Sequence, residues 1–138
     1  MIAANMMMTG GVTLSPENTL LDALRIFSGK NGGVIPVVGP DGRVIGVITP
    51  ALALKRSIGF TADLSSIASV AVEEAMETAY AAVSPEAGIS SVAASLSEKG
   101  HGAVVVVDDG GRLLGVISPE EILKRICEYS EKRRKRKA

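Results

Sequence analysis

Tryptophan and glutamine are absent from this 138-residue chain, and cysteine and histidine occur once each, as Cys127 and His101. A single thiol makes neither an internal disulfide nor a multi-cysteine metal site, and it fits a reducing, cytoplasmic setting. Near the end of the last helical stretch, Cys127 is expected to be a small packing residue. His101 lies in Gly100-His101-Gly102 with no second ligand nearby in sequence, so a solvent-facing structural role is expected and a metal site is not. With two Tyr and two Phe in all, a stacking platform for nucleobases is not expected either. No apolar run approaches the roughly 20 residues of a membrane-spanning helix, which excludes membrane insertion. Met1–Gly11 lacks the charged region that opens a secretory signal. There is no Ser/His/Asp choice, no Cys–His pair with an orienting group and no phosphate-cradling glycine loop, so the chain is not expected to be an enzyme. The lack of Gln and the presence of only three Asn match a heat-adapted composition.

What is present is unevenly distributed. Fifteen basic and fifteen acidic residues give a net charge of zero, but six of the basic ones form the run Lys132-Arg133-Arg134-Lys135-Arg136-Lys137. Residues 1–131 therefore carry nine basic against fifteen acidic side chains, a net of −6. The run, within a tail over 128–138, is expected to be frayed because like charges repel, and to act as a solubilising end or a weak, salt-sensitive nucleic-acid contact. The 46% hydrophobic content is enough for a packed core, and the length suits one compact domain or two small units.

The chain is a duplication. At an offset of 69 residues, Val12–Arg56 and Ala81–Arg125 align without a gap, identical at 17 of 45 positions. Ser15-Pro16-Glu17 recurs as Ser84-Pro85-Glu86, Gly46-Val47-Ile48 as Gly115-Val116-Ile117, and Leu54-Lys55-Arg56 as Leu123-Lys124-Arg125. Two copies favour a pseudo-twofold pair over a solenoid, which needs at least about three repeats. Each copy reads β-α-β-β-α. A short extended piece enters Ser-Pro-Glu, with Ser as N-cap of a first helix. Two β-rich runs follow, Val34–Val38 and Arg43–Ile48 in copy one, Ala103–Val107 and Arg112–Ile117 in copy two, each pair joined by a tight turn. A second helix opens at Thr49-Pro50 and at Ser118-Pro119. The expected class is α/β (α+β), with small sheets flanked by helices. The boundaries are 3–57 for repeat one, 58–71 for a partly helical connector and 72–127 for repeat two.

Met7 and Met76 ahead of the first strands, the Ser-Pro-Glu tripeptides, Ile35-Pro36-Val37-Val38, the Asp41-Gly42 and Gly110-Gly111 turns, and Gly46-Val47-Ile48-Thr49 with Gly115-Val116-Ile117-Ser118 occur in order and twice. In this the chain resembles the CBS domain, named after cystathionine β-synthase, over roughly residues 3–127. The resemblance implies a tandem pair, or Bateman module, with two pseudo-symmetric clefts. It implies regulatory binding of an adenosyl compound (AMP, ADP, ATP or S-adenosylmethionine) and assembly into a homodimer. No cofactor is expected to be required, and as a stand-alone module the chain is expected to act on a separate protein partner.

The residues support part of this independently. Thr49 and Ser118 each end a strand and begin a helix, a junction that presents a hydroxyl and free amides to a phosphate. The family places its phosphate contact on the matching Ser or Thr, and its ribose-binding Asp three residues later. Here those later positions are Leu52, which accepts no hydrogen bond, and Glu121, which keeps a carboxylate on a longer arm. If only one cleft binds a nucleotide, it is expected to be the one around Ser118 and Glu121. The same Ser118-x-x-Glu121 spacing also makes a capping box, so both roles stay open. Cleft walls are expected from Val34, Ile35 and Pro36, from Ala103 and Val104, and from the entry strands at Thr13 and Val83, residues that serve equally as ordinary core. The alternatives to ligand sensing are a dimeric scaffold with empty clefts and a nucleic-acid-associated protein acting through its tail.

Overall fold

A computed structural model describes residues 1–29, 33–60, 66–99 and 102–137. His101 lies outside the described residues. In chain order the elements are α1 (Ala3–Met6), α2 (Leu20–Ser28), β1 (Ile35–Val38), β2 (Val44–Ile48), α3 (Pro50–Phe60), α4 (Val72–Ala75), β3 (Ala82–Val83), α5 (Ile89–Lys99), β4 (Val104–Val107), β5 (Leu113–Ile117) and α6 (Pro119–Lys137). The architecture is α+β, small sheets with helices packed on them, as the duplicated pattern predicts.

Each copy folds around an antiparallel hairpin in the same register, Ile35 opposite Ile48 and Val104 opposite Ile117. Gly42 and Gly111 close the turns at φ of 84° and 83°, a conformation that costs glycine little. The entry strand β3 runs parallel to β4, and its counterpart in copy one is a single parallel bridge from Leu14 to Val37.

The first helices begin later than the Ser-Pro-Glu tripeptides suggest. Ser15-Pro16-Glu17 lies in a turn, where Asn18 Oδ1 accepts both the Ser15 amide (2.8 Å) and the Ser15 hydroxyl (3.0 Å). The true cap of α2 is Thr19, whose hydroxyl takes the Asp22 amide while the Asp22 carboxylate takes the Thr19 amide, a complete capping box. Ser84 likewise closes a turn onto Ala87 before α5. A local side-chain bond to Asn18 thus competes with the helix and delays it.

The two lobes exchange their lead helices. Val72 and Ala75 of α4 are fully buried in the core of the first copy, with Leu14, Leu20, Val37 and Ile48. Ala3 and Met6 of α1 are buried in the core of the second, with Val92, Val104, Val106 and Ile117. The anchoring bonds obey the repeat: Ala3 N–H to Ala87 O (2.8 Å) matches Val72 N–H to Asn18 O (2.7 Å). Past each lead helix the chain pairs with the hairpin of that same lobe, Met8 with Val116 and Glu77 with Val47. Gly46 and Gly115 permit this crossing. A Cβ on Gly46 would lie 2.5 Å from Met76 Sδ, and one on Gly115 2.8 Å from Met7 Sδ. Between the lobes, Val44 N–H reaches Gly111 O (3.0 Å) and Leu113 N–H reaches Gly42 O (3.1 Å), a reciprocal pair that marks the pseudo-twofold axis.

Two expectations fail towards the end of the chain. The basic run is helical through Lys137, continuing α6 rather than fraying from it. Lys and Arg at a helix C-terminus interact favourably with its negative end, and Arg133 also bonds the Tyr129 hydroxyl (3.2 Å) one turn back. Cys127 is exposed and does not pack. Among the described residues, no helix is long and apolar enough to cross a membrane.

Candidate functional site

The pseudo-twofold arrangement leaves a cavity of about 660 Å³ between the copies. Three segments line it: Met8 to Thr13 leading out of α1, Gly33 to Pro36 at the start of β1, and the second copy from Gly102-Ala103 through β5 to Ser118 and Glu120. Its size falls within the roughly 300–1,000 Å³ of small-molecule sites. The walls are aliphatic side chains and glycine backbone, suited to gripping a flat apolar ring while backbone groups read its edge. The polar side chains on the lining are Thr13, Ser118 and Glu120.

Behind the cavity, Val34 and Leu113 of the lining pack with buried Val44, Val47 and Val105 and with Tyr80. The Tyr80 hydroxyl donates to Val44 O (3.0 Å), and partial burial pushes its phenol above the ordinary value. This cluster ties the cavity wall to the interface between the lobes.

A second, shallower cavity of about 550 Å³ lies beside it, sharing Gly33 and Gly102. It is lined by the start of α3, namely Thr49, Pro50, Ala51 and Leu52, and by Lys55. The hydroxyls at both helix starts act as caps: Thr49 Oγ1 accepts the Leu52 amide (3.1 Å) and Ser118 Oγ accepts the Glu121 amide (3.4 Å). Each hydroxyl keeps its proton for a second partner.

Of the residues singled out in the sequence, Thr13, Val34, Ile35, Pro36, Ala103 and Ser118 line the main cavity together, and Thr49 lines the second. Val83 and Val104 line neither; they are buried in the second lobe's core, the ordinary role their residue type also allowed. Glu121 lines neither as well. Its carboxylate pairs with Arg125 Nε at 3.3 Å, one helical turn on, so of the capping box only the serine half is made. Glu120, one residue earlier, occupies the cavity rim instead. Sequence reasoning missed Glu120 because it was anchored on the third position after the serine. It also missed Met8 to Val12, which reach the cavity only through the lead-helix exchange. Among the described residues, no cluster of His, Cys, Asp or Glu is arranged to hold a metal ion.

The model of the CBS domain family matches residues 3–56 and 72–128. Over 119 residues the chain is 32% identical to inosine-5'-monophosphate dehydrogenase of Mycobacterium tuberculosis, covering 86% of this chain and 21% of that enzyme. The chain thus spans about a fifth of that relative's length. Among solved structures, CBSX2 in complex with AMP superposes with a TM-score of 0.80 at 19% identity, covering 94% of this chain and 98% of the other. CBSX2 is a CBS-pair protein of Arabidopsis thaliana. The CBS domain pair of protein MJ0100, in complex with 5'-methylthioadenosine and S-adenosyl-L-methionine, superposes with a TM-score of 0.78 at 20% identity, with the same coverages of 94% and 98%.

Proposed function

The chain belongs to the CBS domain family, with two copies of the domain, and on that premise we propose that it is a regulatory module whose main cavity binds an adenosyl compound of the AMP, ADP, ATP or S-adenosylmethionine type. The observation that carries this reading is the 660 Å³ cavity built jointly by both copies, aliphatic on its walls and furnished with the Thr13 and Ser118 hydroxyls. The complexes of CBSX2 and MJ0100 support the ligand class. An occupant would touch the Met8–Thr13 segment, the start of β1 and the start of α6 at once. Those parts belong to different lobes, so occupancy would bias how the lobes pack, and that shift would be read by a partner protein. Glu121 would join only by giving up Arg125.

The test is calorimetry and thermal shift with AMP, ADP, ATP, S-adenosylmethionine and 5'-methylthioadenosine. A ligand at a hundred times its Kd stabilises by about 2.7 kcal/mol, a plain shift in melting temperature. No stabilisation by any of them at millimolar concentration would overturn the reading and leave the empty scaffold in its place.

We also propose that the chain acts as a homodimer in the cytoplasm. Leu54 and Ile58 on α3 are 60% and 71% exposed, and Leu123 and Ile126 on α6 are 62% and 45% exposed, large apolar groups that a second copy would cover. Light scattering should report a dimer at micromolar concentration, and a monomer there would refute it. Because the basic end of α6 is helical and exposed, it favours a nucleic-acid contact as a second role. Such binding should weaken steeply with salt and vanish when residues 132–138 are deleted.

A further inference from the structure

The two helix starts that border the cavities have opposite electrostatic character. The first turn of α3 carries no acidic residue, and Lys55 lines the cavity beside it. The first turn of α6 carries Glu120 and Glu121 at the positions where α3 has Ala51 and Leu52. Glu121 is neutralised by Arg125, which also approaches Glu128 at 3.8 Å. Glu120 has no ion-pair partner among the described residues, and among the described residues lining the main cavity it is the only charged one. The positive helix end that would attract a phosphate at Ser118 is therefore already offset by the unpaired carboxylate of Glu120.

We propose that Glu120 makes the main cavity selective for adenosyl compounds that carry positive charge, such as a sulfonium, over nucleotides that carry phosphates. This deepens the adenosyl reading above and rests on it. The carboxylate at the rim attracts a sulfonium or ammonium on the ligand's 5' side and repels a phosphate chain in the same place. Because Glu120 is exposed, solvent and salt screen the effect, and it is a preference of a few-fold rather than an absolute filter. The ordinary alternative is that Glu120 only complements the helix end. That role would alter stability without altering the rank of ligands by charge.

The experiment is a titration of the full chain with S-adenosylmethionine, 5'-methylthioadenosine, AMP and magnesium-free ATP at low and high salt. These ligands share the adenine and its ribose ring and differ in the charge of the group on the 5' carbon. Affinity is expected to fall in that order at low salt, with the spread narrowing at high salt. Glu120→Gln should weaken S-adenosylmethionine about two- to fivefold, strengthen ATP by a similar factor and leave the neutral 5'-methylthioadenosine nearly unchanged. ATP or AMP binding as tightly as S-adenosylmethionine, or an unchanged ratio between S-adenosylmethionine and ATP in Glu120→Gln, would overturn the selectivity while the adenosyl reading stood. Failure of all four ligands to bind would overturn both.

Discussion

The two copies share a backbone plan down to equivalent hydrogen bonds, yet they fill it with different side chains. The lead helices show this most simply. Ala3 and Met6 enter the second lobe where Val72 and Ala75, 69 residues on, enter the first. The large residue has moved from one end of the short helix to the other. Duplication sets where the chain goes, and each lobe then solves its own packing. The rim of the cavities differs by the same logic, with Ala51 and Leu52 facing one and Glu120 and the salt-bridged Glu121 beside the other.

The most damaging way to break the comparison is through the exchanged helix. Met6 is 1% exposed, so Met6→Ala should cost about 2–5 kcal/mol through lost contacts and a cavity in the second lobe. The reverse change in the other lobe, Ala75→Met, should overpack and cost about 1–3 kcal/mol. Urea denaturation of each variant measures both. Near-neutral effects would mean that the lead helices do not hold the lobes as described.

The crossing points come next. Gly46→Ala and Gly115→Ala should each cost about 1–3 kcal/mol, because a Cβ would meet Met76 or Met7 inside van der Waals distance. Neither clash is confined to a flexible tip: a Cβ on Gly115 would lie 2.9 Å from Met7 Cβ, and one on Gly46 3.1 Å from Glu77 O, so both losses should persist after side-chain rotation. Adding Met76→Ala to Gly46→Ala should recover part of the loss, and additive effects in that double-mutant cycle would contradict the crossing.

The repeat made much of this legible. An offset of 69 residues, the Asp41-Gly42 and Gly110-Gly111 turns and the Thr/Ser-Pro junctions located both hairpins and the second helices, because those features act within a few residues. The exchange of α1 and α4 was not legible, since four-residue helices with only two or three apolar residues carry no sign of which lobe they join. Six wall or hydroxyl residues were readable as cavity lining, whereas Val83 and Val104 were not separable from it: a strand residue facing a cleft and one facing the core look alike in sequence. The carboxylate at the rim turned on one residue of helical phase, about 100°, which placed Glu120 outward and let Glu121 reach Arg125.

Replacing the two capping hydroxyls separates what the helix starts share from what they do not. Thr49→Ala and Ser118→Ala should each lower stability by about 1 kcal/mol, since both hydroxyls cap. Only Ser118→Ala should also weaken an adenosyl ligand in the main cavity, because Thr49 lines the other one. Paired melting and titration curves decide this, and equal losses of affinity would mean that the two cavities act as one site.

The smallest difference lies at the first helices. In α2 the Asp22 carboxylate closes the capping box with Thr19, whereas the matching positions before and in α5 are Gly88 and Ser91, which offer no carboxylate. The Thr19 backbone amide, bonded to the carboxylate at 2.9 Å, holds the Asp22 pKa below its ordinary 3.8. A depressed carboxylate contributes stability that is present above the unfolded pKa and lost as pH falls through the folded one. Asp22→Asn should therefore be slightly less stable than the parent at pH 6, and the gap should close as both are taken below pH 3.8. Ser91→Ala, at the corresponding place in the second copy, should show no such pH-dependent gap. Melting temperatures of the three proteins across that range provide the check, and a gap that widened on acidification would show that the carboxylate works against the helix rather than for it.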